Sequence, residues 1–267
     1  MIAIIGVGKM GEALLSGLLR AGHAPEEVAA VEKAAARSAE IAGKYGVPVL
    51  SLEEAAGKAG TLVVAVKPQD MESTLTALAG GLAGGSGTLV ISIAAGVTTG
   101  FIERCLGPAK VPVVRVMPNT PALVNEAMSV ISPGAYAGSG HLDQAEELLS
   151  VAGKVLRLPE FQQDAATALS GSGPAYVYYL AEAMIDAGVS VGMPRPSARE
   201  LVIQTLYGAA TMLRDSGEHP VMLREAVTSP GGTTAAAIGE LESRGVRAAI
   251  AAAIEAARDR ARELGGA

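Results

Sequence analysis

Short apolar runs alternate with helical patterns through the first 160 residues, and this alternation restricts the folds open to the chain. The runs are IAIIGV (2–7), EVAAVE (27–32), TLVVAVKP (61–68), GTLVISIAAG (87–96), VPVVRVMPNTP (111–121), EAMSVIS (126–132) and KVLRLP (154–159). Strands that are apolar throughout are typical of a parallel sheet covered by helices on both faces. The pattern predicts a Rossmann-type α/β domain over residues 1–160.

The strand patterns stop near residue 160, and alanine-rich helical patterns follow at 164–192, 197–217 and 245–266. Aromatic residues are only 3% of the chain, so small aliphatic side chains must build the core. Each alanine buries little area, and burial contributes about 25 cal/mol per Å². We therefore expect residues 161–267 to form an all-helical dimerisation domain that packs against a second subunit. A self-contained bundle is the alternative.

Capping boxes mark further helix starts, because their two side chains satisfy backbone N–H groups of the first turn. Each pair with this spacing predicts a helix that begins near its first member. The pairs are Ser51 with Glu54, Asp143 with Glu146, and Ser197 with Glu200.

Composition and charge exclude several classes of protein. The net charge of −6 argues against a nucleic-acid surface. The single cysteine, Cys105, excludes disulfides within the chain, and His23, His141 and His219 share no metal-ligand spacing, so no metal is expected. No apolar run reaches the roughly 18 residues of a membrane span, and the chain opens directly on a strand. We expect a cytoplasmic protein without a membrane span or signal peptide, whose ligands are small molecules.

The segment IGVGKMGEALLSGLL (5–19) has the spacing Gly6-x-Gly8-x-x-Gly11 between a strand and an amphipathic helix. In this context the motif predicts a dinucleotide site. Gly6 permits a tight turn, Gly8 lets a pyrophosphate approach the backbone, and Gly11 lets the helix lie close to the strand. The helix start offers N–H groups to the phosphates. The predicted contacts of the loop are Gly6, Val7, Gly8, Lys9, Met10 and Gly11.

The second strand ends at Glu32, which lies 21 residues after Gly11. An acidic residue there holds the ribose 2′-hydroxyl and favours NAD. Lys33 and Arg37 could instead neutralise a 2′-phosphate. The residues leave NADPH and NADH both open as the cofactor, with Glu32 and Lys33 as candidate contacts.

Three further strands end in candidate cofactor contacts, because ligands bind at the carboxyl edge of such a sheet. The small side chains of SIAAG would let a flat ring approach, and two prolines hold Asn119 for a polar contact near the nicotinamide. An ordinary turn is the alternative at Gly96 and at Asn119. The candidates are Ala65, Val66, Lys67 and Pro68, then Ala94, Ala95 and Gly96, then Met117, Pro118 and Asn119.

Seven segments together resemble the pyrroline-5-carboxylate reductase family, and the resemblance runs essentially end to end. They are IGVGKMGEALLSGLL, AVKPQ, SIAAGV, MPNTPALV, LSGSGPAY, DAGVSVGMPR and VTSPGGTTAAAI. The resemblance implies reduction of the cyclic imine 1-pyrroline-5-carboxylate to L-proline with NADPH or NADH, the last step of proline biosynthesis. It also implies a helical domain that interlocks into a homodimer. In many members the dimers assemble further, into a decamer of five dimers.

The segment TSPGG followed by TTAAAI is a turn that leads into a helix start, and such a turn binds an anion without a charged side chain. Ser229 and the N–H groups after the turn would hold the substrate carboxylate. The resemblance assigns a hydrogen bond to the ring nitrogen to Thr234, the predicted catalytic residue. The alternative is that Thr233 or Thr234 only N-caps the helix. The predicted substrate contacts are Ser229, Gly231, Gly232, Thr233 and Thr234.

Glu160 aligns, through LSGSGPAY, with the place where a glutamate of the family approaches the substrate, and an exposed surface glutamate is the alternative. SGSGP (170–174) interrupts a helical pattern and is predicted to pack closely beneath the active site. A β-hydroxyacid dehydrogenase has a similar two-domain plan but needs a catalytic lysine, and no lysine follows Lys154. A reductase of another small imine or ketoacid, and a dinucleotide-binding protein without turnover, stay open as alternatives.

Overall fold

A computed structural model describes residues 1–82 and 87–265 of the chain. The strands of this described part form a seven-stranded sheet with the spatial order β2-β1-β3-β4-β5-β6-β7. Each of the predicted strand runs overlaps one of these strands, and the predicted Rossmann-type α/β fold is confirmed. The strands are β1 Ile2–Ile5, β2 Val28–Val31, β3 Thr61–Val64, β4 Leu89–Ser92, β5 Val113–Met117, β6 Ala127–Pro133 and β7 Gly153–Arg157.

The sheet departs from the predicted all-parallel pattern at β6. Strands β1 to β5 pair in parallel, but β5 and β6 pair antiparallel, with Met117 opposite Val130. Only a short 3₁₀ turn, Thr120–Val124, lies between them. A parallel crossover needs a dozen or more residues, so a short connection returns the chain in the opposite direction. Strand β7 is parallel to β6.

Helices cover both faces of the sheet, and the strands alternate between two buried layers. Ile4 of β1 packs with Leu14 and Leu18 of the first helix, whereas its neighbour Ile5 packs with Leu75 in the opposite layer. The helices are α1 Lys9–Arg20, α2 Ala35–Tyr45, α3 Leu52–Lys58, α4 Met71–Leu82, α5 Thr99–Leu106, α6 Ser139–Ser150, α7 Gln163–Ala166, α8 Gly173–Ser190, α9 Arg195–Asp215, α10 Pro220–Ala226, α11 Thr233–Ser243 and α12 Val246–Gly265.

One of the three predicted capping boxes is confirmed. The Ser51 hydroxyl accepts from the Glu54 N–H, and the Glu54 carboxylate accepts from the Ser51 N–H. The other two predictions are wrong, because each helix begins earlier in the chain. Helix α6 begins after Gly138, whose N–H donates to His141, and the side chains of Asp143 and Glu146 instead bind Arg157. Helix α9 begins after Pro194, so Ser197 and Glu200 lie inside its first turns.

The chain divides into two compact units by its internal contacts. The first consists of Met1–Ser172 with Ala257–Ala267, and the second of Gly173–Ala256. Residues 266 and 267, the end of the predicted helical domain, lie outside the described residues. Among the described residues, no helix is both long and apolar enough to cross a membrane.

The second unit leaves large apolar side chains exposed in a single subunit. In its described residues, helices α8, α10 and α11 contain no buried residue. Tyr179 is 76% exposed, Val191 81% and Tyr207 67%. Apolar exposure on this scale is typical of a surface that packs against another subunit.

Candidate active site

The glycine loop turns tightly between β1 and α1. Gly6 has a φ of +89°, in the left-handed region that glycine adopts without strain. A Cβ at Gly11 would lie 2.3 Å from the carbonyl oxygen of Gly6, so helix and turn approach this closely only because Gly11 has no side chain. Apart from its neighbours along the chain, no atom of the described residues lies within 4 Å of a Cβ built at Gly8. Packing within the protein therefore explains Gly6 and Gly11 but not Gly8.

Helix α1 begins with unbonded N–H groups. Gly8 is its N-cap and supplies no side-chain cap. The Glu12 N–H donates to the Gly8 carbonyl at 2.8 Å, so the N–H groups of Lys9, Met10 and Gly11 have no acceptor inside the helix. These groups and the helix dipole favour an anion at this position.

A cluster of charged side chains around Glu12 contacts the glycine loop. The Glu12 carboxylate accepts hydrogen bonds from Lys44 Nζ at 2.8 Å and from Tyr45 Oη at 2.7 Å, and it pairs with the Arg37 guanidinium. Arg37 Nε also donates to the Val7 carbonyl at 3.0 Å. The hydrogen bonds from Lys44, Arg37 and Tyr45 lower the pKa of Glu12 to about 2. Arg37, a candidate contact for a 2′-phosphate, is therefore already paired with Glu12 and bonded to the Val7 carbonyl.

A cleft of about 460 Å³ opens beside the loop, at the carboxyl ends of β1, β2 and β3. Strand β1 lies between β2 and β3, so the chain crosses over in opposite directions on its two sides, and ligands bind at such a point. Both carboxylate oxygens of Glu32 hold the backbone, accepting from the Val7 N–H at 3.1 Å and the Ala34 N–H at 3.0 Å. The predicted residues that line the cleft are Gly6, Gly8, Glu32, Lys33, Ala65, Val66 and Lys67.

The candidates at the end of β5 meet the SGSGP segment. A π-helical turn, Thr167–Gly171, interrupts the helix as the sequence predicts. A Cβ at Gly171 would lie 2.4 Å from Met117 Cε, so the predicted close packing of SGSGP occurs against MPNTP. The Asn119 amide contacts Ser170 and Met128.

The loop after β4 carries the candidates Ala94, Ala95 and Gly96. The Val97 N–H donates to the Ala94 carbonyl at 3.5 Å, and this hydrogen bond closes a turn that contains Gly96. The end of α12 lies against this turn, since a Cβ at Gly265 would be 2.9 Å from the Gly96 carbonyl oxygen. A ring that approached Gly96 would therefore have α12 as a neighbour.

Glu160 is partly exposed, and both of its carboxylate oxygens contact other residues of the protein. It accepts hydrogen bonds from the N–H and the hydroxyl of Thr99, and it forms an ion pair with Arg115. Sequence reasoning missed Arg115 and Thr99. An arginine inside the apolar run VPVVRVMP was the available signal, because a buried charge requires a carboxylate partner.

The TSPGG turn lies in the second unit, between α10 and α11. Gly231 has a φ of +68°, and the Gly232 N–H donates to the Ser229 carbonyl at 3.0 Å. Gly232 is the N-cap of α11, so the alternative that Thr233 or Thr234 only caps this helix is wrong. The first bond of the helix runs from the Ala236 N–H to the Gly232 carbonyl at 3.1 Å. Within the described residues, the hydroxyls of Thr233 and Thr234 make no hydrogen bond.

Comparison with known proteins decides which family this arrangement belongs to. Residues 160–264 match the family model described as pyrroline-5-carboxylate reductase dimerisation, and residues 1–96 match the one described as NADP oxidoreductase coenzyme F420-dependent. The pyrroline-5-carboxylate reductase of Corynebacterium melassecola is 42% identical over 266 residues, which cover 99% of this chain and 98% of that protein. The reductase of Mycobacterium leprae is 44% identical over 98% of this chain and 96% of its own.

The chain belongs to the pyrroline-5-carboxylate reductases.

Solved structures of the family agree with this assignment. The pyrroline-5-carboxylate reductase of Coxiella burnetii has a TM-score of 0.93 and 35% identity, covering 98% of this chain and 97% of its own. The pyrroline carboxylate reductase of Plasmodium falciparum, solved with NADP bound, has a TM-score of 0.86 and 32% identity, covering 99% and 97%.

The predicted function is confirmed at the level of the family. The enzyme is an NAD(P)H-dependent oxidoreductase of proline biosynthesis, and it reduces pyrroline-5-carboxylate to proline. Its dimerisation region indicates a homo-oligomer, in agreement with the exposed apolar side chains of the second unit. A dinucleotide-binding protein without turnover is not supported by these relatives.

Proposed function

We propose that two helix starts share the reduction, with α1 binding the cofactor diphosphate and α11 binding the substrate carboxylate. The observation that carries the proposal is the N-cap of α11. Because Gly232 caps that helix, the Thr234 hydroxyl is left without a structural partner among the described residues. It is therefore available to the imine nitrogen of the substrate.

The residues of the first unit fit a nicotinamide dinucleotide. The open space at Gly8 and the N–H groups of Lys9, Met10 and Gly11 suit a diphosphate. The cleft continues to Glu32 and Lys33 on one side and to Ala65, Val66 and Lys67 on the other. These residues, with Pro68 after the end of β3, would hold the adenosine part of the cofactor. The candidates after β4 and β5 would border the nicotinamide.

The residues of the TSPGG turn fit a small carboxylate. The N–H groups of Thr233 and Thr234 precede the first helical hydrogen bond and point to the helix start. A Cβ at Gly232 would lie 2.6 Å from Ser229 Oγ, so glycine at position 232 leaves room for the serine hydroxyl beside this helix start. Ser229, Gly231 and Gly232 thus shape a site for an anion without a charged side chain.

Hydride transfer to this substrate depends more on the positions of the reacting atoms than on acid–base groups of the protein. A bound reduced nicotinamide supplies the hydride. The TSPGG turn fixes the ring by its carboxylate, and correct placement of the reacting atoms supplies several kcal/mol of the barrier. The imine reacts in its protonated form, with the proton taken from solvent, so hydride transfer to the ring carbon leaves a neutral amine. The Thr234 hydroxyl donates a hydrogen bond to the lone pair that forms on the nitrogen as its charge is neutralised.

Kinetics of Thr234 variants test this assignment. Thr234→Ala should lower kcat by about a hundredfold to a thousandfold, as loss of one oriented donor does, while the Kd for NADPH stays unchanged. Thr234→Ser should retain most of the activity. Thr211→Ala, which removes a hydroxyl bonded to the Tyr207 carbonyl, is the matched control. A weaker affinity for NADPH in Thr234→Ala, with kcat unchanged, would contradict the assignment of this turn to the substrate.

The assembly we propose is a homodimer built by the second unit, with five dimers forming a decamer in the cytoplasm. The exposed side chains of Tyr178, Tyr179 and Tyr207 support a subunit contact, because aromatic groups are enriched at such surfaces. The division into a dinucleotide-binding domain (1–160) and a helical domain (161–267) remains part of this proposal. Native mass spectrometry would detect either ten subunits or two, and a monomer at micromolar concentration would contradict the dimer.

A further inference from the structure

Glu160 joins two elements that are distant in sequence. It opens the 3₁₀ turn Glu160–Gln162, which follows β7. Its Oε1 accepts from the Thr99 N–H at 2.7 Å, and its Oε2 accepts from the Thr99 hydroxyl at 2.6 Å. Thr99 is the first residue of α5, so the carboxylate also lies at the positive end of that helix dipole.

A buried arginine fixes the carboxylate from the other side. The Arg115 side chain is 5% exposed, and its Nη1 lies 3.2 Å from Glu160 Oε1. Arg115 Nη2 lies 3.8 Å from Asp164 Oδ1, a longer contact. Because a desolvated guanidinium requires a charged partner, Glu160 cannot leave this position without cost.

Both oxygens of Glu160 are therefore used inside the protein. The side chain keeps 29% of its surface exposed, toward a cavity of about 410 Å³ that Gly96, Thr98 and Arg262 also line. A direct bond to the substrate would compete with Thr99 and Arg115 for the same two oxygens. The geometry favours a role that acts through Thr99.

Thr99 directly follows the loop that leaves β4. The loop runs from Ile93 to Thr98, and it includes the candidates Ala94, Ala95 and Gly96 at the carboxyl edge of the sheet. At its first end it continues from the buried strand residue Ser92, and at its second end it is held by Glu160. Two fixed ends restrict where the backbone of Gly96 can lie.

We infer that Glu160 is a positioning residue, which holds the Ala94–Gly96 backbone in place through Thr99 and so sets the position of the nicotinamide ring. This inference rests on the proposed placement of the nicotinamide beside that loop. It replaces the expectation of direct contact between Glu160 and the substrate.

A double-mutant cycle tests the inference. Glu160→Gln weakens the ion pair and the bond to Thr99, and Thr99→Val removes only the hydroxyl and leaves Arg115 paired. Each variant should lower kcat on the order of tenfold, because displacement of a reacting group by a fraction of an ångström has effects of this size. The KM for pyrroline-5-carboxylate should stay within about twofold of the wild-type value.

Two further variants complete the design. Thr99→Ser keeps the hydroxyl and should restore most of kcat. Glu146→Gln, which alters an exposed ion pair with Arg157, is the matched control and should behave as wild type. Melting temperatures of all variants separate a change in the active site from a loss of folded protein.

The outcomes discriminate clearly. Equal losses of kcat in the two single variants, with no additional loss in the double variant, support the inference. An increase in the KM for pyrroline-5-carboxylate in Glu160→Gln alone, with Thr99→Val unchanged, overturns it in favour of direct substrate contact. Unchanged kcat in both single variants also overturns it. If the wild-type enzyme itself showed no NAD(P)H-dependent turnover, the proposed function would fail instead, before any variant is compared.

Discussion

The side-chain amide of Asn119 donates to the carbonyl oxygen of Ser170 at 3.2 Å, across 51 residues of sequence. The same amide accepts from the Met128 N–H at 2.9 Å. Asn119 therefore ties the end of β5 to the start of β6 and to the π-helical turn before α8. MPNTP and SGSGP, two of the segments that carry the resemblance to the family, pack against each other in this enzyme.

This relationship predicts the effect of Asn119→Ala. Loss of the amide leaves the Ser170 carbonyl and the Met128 N–H without their partner, which should lower the free energy of unfolding by about 1–3 kcal/mol. Ser170→Ala removes only the longer contact at 3.4 Å between Asn119 and the serine hydroxyl, and it should cost much less. Urea denaturation of both variants measures the difference in their free energies of unfolding. Equal stabilities would argue against a structural role for the Asn119 amide.

The glycine loop predicts a contrast between Gly8→Ala and Gly11→Ala. A Cβ at Gly11 collides with the Gly6 carbonyl, so Gly11→Ala should lose about 1–3 kcal/mol of stability. A Cβ at Gly8 meets no described protein atom, and φ is −70° there, so Gly8→Ala should fold normally. Its Kd for NADPH should still rise on the order of tenfold, about 1.4 kcal/mol, because the methyl group would occupy the diphosphate position. Melting curves and fluorescence titration measure the two quantities, and unchanged NADPH affinity in Gly8→Ala would argue against a diphosphate at that position.

The Glu12 cluster predicts a stability that depends on acidic pH. The pKa of the Glu12 carboxyl is lowered in the folded state to about 2 from an ordinary value of 4.5, so ionised Glu12 favours the folded state. This contribution is complete above the unfolded pKa and is lost as the pH falls from about 5 toward 2. The difference in unfolding free energy between wild type and Glu12→Gln should thus be greatest near neutral pH and shrink in acid. Glu53→Gln, at an exposed position of α3, serves as the control, and a difference independent of pH would contradict the prediction.

Lys33 predicts a preference between the two cofactors. It lines the cleft beside Glu32, whereas Arg37 is engaged by Glu12 and Glu40. If a 2′-phosphate binds here, Lys33 is its cation, and an exposed pair of this kind contributes up to about 1 kcal/mol. Lys33→Ala should weaken NADPH binding by about twofold to fivefold and leave NADH binding unchanged. Equal losses for the two cofactors would place the 2′-position elsewhere.

Much of the sheet was predictable, since its strands are buried on both faces and appear as apolar runs such as residues 61–64. The direction of β6 was not, because an apolar run alone does not reveal which way its strand enters the sheet. Helix starts were likewise predictable in one case and not in another. Ser51 lies immediately before its helix, but Asp143 and Glu146 have capping spacing and instead bind Arg157 of the next strand.

The glycine loop could be located from sequence because its function depends on local backbone geometry. The contacts of Glu160 could not, since they join it to Thr99 and Arg115, which precede it by 61 and 45 residues. Similarly, the choice of Gly232 over a threonine as the N-cap of α11 follows from backbone angles that the letters TSPGGTT do not specify.

A crystal structure of the enzyme with NADPH and proline would examine both proposed anion sites, at the starts of α1 and α11, in one measurement. We expect the diphosphate on the N–H groups at the start of α1, beside Gly8, and the proline carboxylate at the start of α11. The proline nitrogen should then lie within hydrogen-bonding distance of the Thr234 hydroxyl. Proline bound away from the TSPGG turn, or a diphosphate away from Gly8, would contradict it.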